Sequence, residues 1–201
     1  MRRICSVDGG GVRLAIAIPQ WVELERQIAP KLMRDVFDMA CGTSAGAIAS
    51  ACIAAGMPMT ELLALWQSDV PKIFHLGVDE AWIPRATVGY AYKSEAIHDM
   101  LVKRLGAAAG WCLNDSPIRL LLCGCGVNGH EWYWVQDRAL NAKTTGKLSL
   151  VECATASASA STYISETYVS PLGGALVGWC VDGGESGRAC PVYRVRRSIC
   201  L

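Results

Sequence analysis

At 201 residues, with 52% hydrophobic and 18% charged side chains, the chain is long enough to bury one core and too apolar for a disordered or solenoidal polypeptide. A formal net charge of +1 leaves no general electrostatic reason to expect nucleic acid or a strongly acidic substrate. The ten cysteines do not spell a metal site: Cys123 and Cys125 form C-x-C with no second pair at zinc spacing.

In chain order, Arg3 to Asp8 reads as a short buried strand, followed by the glycine turn Asp8-Gly9-Gly10-Gly11 and a helix-competent run, Leu14 to Ile28, with Pro19 as an early kink. The logic repeats: Val36 to Cys41 reads as a strand, Gly42 to Gly46 as a turn, and Ala45 to Ala55 as a helix stopped by Gly56 and Pro58. Two such units predict a parallel sheet. An amphipathic run capped by Thr60 extends to Phe74, and Ser94 with Ile97, Leu101 and Leu105 predicts another helix after a looser loop. Arg119 to Cys125, Trp132 to Gln136, Leu148 to Ala154 and Leu176 to Asp182 are strand candidates, the first, third and fourth apolar enough to be central. The Ala/Ser/Thr stretch from Ala154 to Ser161 reads as a packed turn and helix start. Cys5, Cys41, Cys123, Cys125, Cys153 and Cys180 sit in apolar stretches and are expected to be reduced core residues. Arg2 and Arg3 are not followed by an apolar signal-peptide region, and glycines and Pro58 break the charge-free stretch Cys41 to Thr60. The expectation is a soluble, cytoplasmic, single-domain chain.

The chemistry concentrates in three places. Gly42-Thr43-Ser44-Ala45-Gly46 fits G-x-S-x-G, in which small flanking residues permit a sharp strand-to-helix turn that exposes the serine. Chance alone gives roughly 0.14 such matches in this composition, so its placement between an apolar strand and an Ala-rich helix carries the weight. Asp8-Gly9-Gly10-Gly11 is rarer, roughly 0.009 by chance. Three consecutive glycines let backbone amides converge on one anion, here the oxyanion of acyl transfer, with the amide of Ala45 as a second donor. A phosphate loop fits poorly, because position 14 is Leu where a dinucleotide loop needs glycine and no Gly-Lys-Ser/Thr follows the glycines. Arg13 either locks the loop by hydrogen-bonding its carbonyls, the favoured reading, or is simply exposed. Asp182-Gly183-Gly184 closes the last apolar strand and offers a carboxylate where open α/β sheets carry their sites. No histidine among His75, His98 and His130 follows Asp182, so the Ser-Asp-His order of α/β-hydrolases is not met and Asp182 is the candidate base.

Taken together, D-G-G-G-x-R, G-T-S-A-G and D-G-G resemble the patatin-like phospholipase family, and Ala154 to Tyr163 is similar to that family's A-T-S-A-A-P-T-Y block. The resemblance runs from Ile4 to about Pro191. It implies a three-layer α/β/α sandwich with a mostly parallel central sheet over residues 1–201. It further implies a lipid acyl hydrolase with Ser44 as nucleophile, Asp182 as its base, and Gly9, Gly10 and Gly11 as the oxyanion loop. Gly42, Gly46, Gly183, Gly184 and Arg13 would support these residues. No metal or other cofactor is implied, and the partner is a phospholipid or other acyl ester, with peripheral contact at a lipid surface. Two positions depart from the family pattern: Leu14 stands where it usually has Gly, and Cys190-Pro191 where it usually has Asn-Pro. Leu201 follows soon after Asp182, as in a compact or C-terminally shortened variant. The rival expectation is a catalytically degraded lipid-binding or scaffold domain, to which the basic residues Arg194, Arg196 and Arg197 would suit an anionic lipid surface. Trp66, Ile73, Phe74, Trp82 and Ile83 are candidates for an acyl groove, although tryptophan at helical spacing is more often core.

Overall fold

The computed structural model describes residues 2–74, 90–136, 145–170 and 178–186. These build a six-stranded sheet. Strands β1 (Ile4–Val7), β2 (Met39–Thr43) and β3 (Arg119–Gly126) lie side by side and parallel. Strand β4 (Glu131–Val135) and strand β6 (Trp179–Asp182) both run antiparallel to β3, and the two-residue β5 (Thr167–Tyr168) flanks β6. All of β2, and β3 beyond Arg119, are buried, which is why both read as near-continuous apolar runs.

The period-two alternation along β3 separates two cores. Leu120 and Leu122 face the large one, shared with helices α3 (Ala45–Ala55) and α7 (Leu150–Ser157), while Leu121 and Cys123 join Met39 and Cys41 in a smaller cluster. Helix α3 is buried from Ala45 through Ala54, and being apolar all round it can only be a central helix. It ends on Gly56, whose φ of 80° is the left-handed conformation that glycine adopts without penalty. The amides of Gly56 and Met57 close on the carbonyls of Ile53 and Cys52, and Arg34 Nη1 donates to the last carbonyl, that of Ala55, at 2.9 Å.

Several expectations are corrected. The segment predicted as a strand over Leu148 to Ala154 is helix α7, so the Ala/Ser/Thr stretch is the end of a helix. Ser149 caps it by accepting the Glu152 amide at 3.3 Å, and Ser-x-x-Glu is itself a helix-start signature. The strand predicted from Val36 begins at Met39, because Met33–Val36 is the short helix α2, with the Asp35 carboxylate accepting the Leu32 amide at 2.8 Å. Leu14 to Ile28 is not one kinked helix: Gly11–Ile16 is a 3-10 helix and α1 starts at Ile18. Pro19 thus sits in the first turn, where its missing N–H costs nothing. The run from Thr60 to Phe74 is two helices, α4 (Met59–Ser68) and α5 (Val70–Ile73), broken next to Pro71, and Pro58 rather than Thr60 holds the N-cap position of α4. Helix α6 (Glu95–Leu105) follows the predicted Ile97, Leu101 and Leu105 pattern. The C-terminal arginines, Cys190-Pro191, His75, Trp82 and Ile83 lie outside the described residues.

Among the described residues no helix is long and apolar enough to cross a membrane, and no three His, Cys, Asp or Glu side chains gather as a metal site. Cys5, Cys41, Cys52, Cys123, Cys125, Cys153 and Cys180 are buried. Burial pushes the Cys5 thiol up to about 11 and that of Cys52 to about 12, so both remain protonated and inert at neutral pH.

Candidate active site

Ser44 stands at the junction of β2 and α3 with φ 58° and ψ −131°, a conformation that costs a non-glycine residue energy and persists only where its surroundings over-determine it. The flanking glycines explain how the turn is possible. A side chain on Gly42 would collide with the backbone of Gly46 and Ala47, and one on Gly46 with the backbone of Val7 and Asp8. Strand, turn and helix therefore close to backbone contact around the serine.

Asp182 reaches Ser44 through the sheet. Cys123 of β3 pairs with both Thr43 of β2 and Tyr133 of β4, and Gly124 pairs with both Trp132 of β4 and Asp182 of β6. Since β4 holds one edge of β3 across both positions, β2 and β6 share the other edge end to end. Thr43 occupies one rung and Asp182 the next. Asp182 is the last residue of β6, at that strand's C-terminal edge as expected, and the strand runs antiparallel to β3. The absent side chain of Gly183 makes room for the Cys123 carbonyl, with which a Cβ there would collide.

The Ser44 side chain lies near enough to the Asp182 carboxylate to favour its ionised form, and the Gly184 amide donates to Asp182 Oδ1 at 2.7 Å. Asp182 is 5% exposed. Burial holds its carboxyl above the usual carboxylate range; the Ser44 side chain and the Gly184 amide pull the other way, and the nearby charge of Glu185 adds to the rise. Glu185 is itself held by the amide of Ser161 and, at 2.7 Å, by its hydroxyl.

The glycine loop approaches from the other side. A Cβ on Gly9 would stand 3.1 Å from Ser44 Cβ and 3.9 Å from its Oγ, so Gly9 passes directly against the serine. Gly11, at φ 56°, opens the 3-10 helix and Ala45 opens α3, so neither amide has an acceptor within its own helix. Arg13 bonds back to the Gly10 carbonyl through its amide at 3.2 Å and through Nε at 3.4 Å. Leu14, at the departure from the family pattern, is buried in the main core.

Gly10, Gly11, Arg13, Ser44 and Ala45 line one wall of a cavity of about 600 Å3, a size usual for small-molecule sites. The remaining wall is apolar and includes Ile48, Trp66, Val70, Ile97, Met100 and Ile164. Of the proposed groove residues, Trp66, Ile73 and Phe74 line it. Ile97 and Met100, missed in the sequence, present one face of α6 at the i, i+3 spacing that could have revealed them. A second cavity, about 490 Å3, lies at the opposite end of the parallel strands among Ile4, Met39 and Arg119. His98 is half-buried on α6, His130 packs edge-on against Trp132 at 4.6 Å, and neither lines the Ser44 cavity.

An α/β sheet carrying a strained serine at a strand–helix turn, with a buried carboxylate near it and a glycine loop against it, has the layout of a serine acyl hydrolase site. Residues 5–193 match the patatin-like phospholipase family, and the chain belongs to it. Among curated relatives it is similar to the cGAMP-activated phospholipase of Escherichia coli (strain TW11681), 25% identical over 177 residues, 85% of this chain and 49% of that protein. It is also similar to that of Vibrio cholerae serotype O1, 26% identical over 195 residues, 90% of this chain and 53% of that protein. The chain thus spans about half the length of these relatives. In fold it is similar to VipD from Legionella pneumophila, with a TM-score of 0.54 at 12% identity over 91% of this chain and 46% of that one, an open three-layer α/β/α arrangement.

Proposed function

We propose that the chain hydrolyses carboxylic esters of lipids, with Ser44 and Asp182 as a catalytic dyad. The observation that carries this reading is the buried Asp182 carboxylate set one rung beyond Thr43, beside the strained Ser44 at the wall of an apolar cavity. Asp182 takes the hydroxyl proton as Ser44 Oγ attacks the ester carbonyl. The negative charge on the carbonyl oxygen is met by the amides of the Gly9 to Gly11 loop and of Ala45. Collapse of the tetrahedral adduct expels the alcohol, which takes the proton back. Water, deprotonated by the same carboxylate, then releases the acyl group. Histidine has no part in this scheme, and no step requires a metal. A single oxyanion donor typically contributes about 10²- to 10³-fold.

The acyl chain occupies the cavity between Ile48, Trp66, Ile97 and Met100. At its mouth, Phe74 and Tyr163 line the cavity and are exposed, as is Val12, with Ile16 exposed nearby. Such a rim suits peripheral contact with a lipid surface. The relatives' name adds a regulatory cyclic dinucleotide to this reading, tested by assaying with and without cGAMP.

Purified protein should hydrolyse a p-nitrophenyl acyl ester and a phospholipid, and a fluorophosphonate should label Ser44. Ser44→Ala and Asp182→Asn should abolish hydrolysis with the fold retained. Turnover surviving in either variant rejects the dyad, and an unlabelled Ser44 in the parent chain favours the degraded binding domain.

A further inference from the structure

We infer that Ser157, the last residue of α7, is a positioning residue that holds the backbone of the nucleophile in register with its base. The inference rests on Ser44 being the nucleophile. Its starting point is an accounting question at the elbow. The β2–β3 ladder ends at Thr43 opposite Cys123, and the Ser44 carbonyl accepts the amides of Ala47 and Ile48 at 2.9 and 3.4 Å to begin α3. The Ser44 amide itself lies between these two systems, with neither a ladder rung nor an intrahelical acceptor. Ser157 Oγ accepts it at 2.9 Å.

The same hydroxyl donates to the Cys123 carbonyl at 2.5 Å. A hydroxyl has one proton to give, so that bond fixes its orientation and leaves a lone pair for the Ser44 amide. Ser157 is 0% exposed, so no water competes for either contact. In effect its side chain extends the β2–β3 pairing by one residue, at the point where the backbone turns into a strained conformation.

Two residues further on, the Ser159 carbonyl accepts the Asp182 amide at 2.9 Å. The stretch from 157 to 159 therefore grips the backbones of both Ser44 and Asp182, one by a side chain and one by a carbonyl. The hydroxyl of Ser159 is engaged elsewhere, with the Thr155 carbonyl and the Thr167 hydroxyl, each at 2.9 Å. That leaves Ser157 as the side chain whose removal loosens the Ser44 backbone while the grip on the Asp182 amide stays.

The test compares fluorophosphonate labelling rate, kcat and KM for a p-nitrophenyl ester in the parent chain, Ser157→Ala and Ser157→Thr, with circular dichroism and thermal melting as checks of fold. Ser157→Ala should lower labelling rate and kcat together by about ten- to a hundredfold, the scale for losing a buried partner and misplacing a reacting group. KM should stay within about twofold, and Ser157→Thr, which keeps the hydroxyl, should recover most of the loss. Labelling of Ser157→Ala within twofold of the parent overturns the inference, as does a change confined to KM. If the alanine variant does not fold, Ser157→Thr is set against Ser157→Cys, whose thiol is a weak donor and acceptor; equal rates in that pair also overturn it. A parent chain that fails to label removes Ser44 as nucleophile and this inference with it, whereas equal labelling of parent and Ser157→Ala removes this inference alone.

Discussion

Gly9→Ala places a methyl against the reacting serine. The new Cβ would lie 3.1 Å from Ser44 Cβ and 3.4 Å from the Thr43 carbonyl oxygen, whereas carbon atoms pack favourably at about 3.5–4.0 Å. The deficit of roughly half an ångström cannot be relieved by a rotamer change, because Ser44 Cβ is fixed by its own backbone. Either the glycine loop or the elbow must shift by that amount. Productive constellations tolerate about 0.5 Å, and a displacement of about 1 Å can cost 10²-fold, so kcat should fall about tenfold. The same crowding should cost about 1 kcal/mol of stability, a fall in Tm of about 2–4 °C for a chain of this length. Gly10→Ala is the comparison: a Cβ there meets nothing within 4 Å, and its φ of 175° is extended backbone open to any residue. Both variants keep every backbone N–H, so the difference isolates the steric effect. Steady-state hydrolysis of a p-nitrophenyl ester, read beside a thermal melt, measures both quantities. Equal losses in the two variants, or a Gly9→Ala enzyme with the parent's kcat, would refute the reasoning.

The Asp182 carboxyl, raised by burial, must be ionised to act as a base, so activity should disappear as pH falls through a value above the ordinary carboxylate range; a kcat/KM profile that stays flat down to about pH 4 contradicts this. Glu185→Gln removes a charge that contributes to that rise and should move the acid limb to lower pH. The stability sign follows by linkage: a carboxyl raised in the folded state binds its proton more tightly there, so its contribution falls as pH climbs from the unfolded value through the folded one. Asp182→Asn should therefore be no less stable than the parent above that window while losing activity, and a clear drop in Tm at pH 8 would count against the burial argument. Arg34→Ala removes the donor to the Ala55 carbonyl at the end of α3 and should cost about 1 kcal/mol, seen as a small fall in urea midpoint with the catalytic pH profile unmoved.

What the residues announce by themselves is local. Gly42 could mark a strand–turn–helix junction at Ser44 because the close approach that demands glycine there, to the backbone of Gly46, lies within four residues of chain, whereas the approach of Gly46 to Val7 and Asp8 belongs to the tertiary structure. Gly56 could end α3 because a left-handed cap is a property of one residue. Helix α7 was equally local, through Ser149 and Glu152, but its apolar run of Leu, Val, Cys and Ala fits a buried strand and a buried helix alike. The joining of β2 and β6 on one edge of β3, which sets Asp182 one rung beyond Thr43, was decided only by the tertiary structure. So was the grip of Ser157 on the elbow. Strand direction and register depend on which distant segments share an edge and on the packing that holds them there, and no periodicity within β6 or α7 encodes that choice.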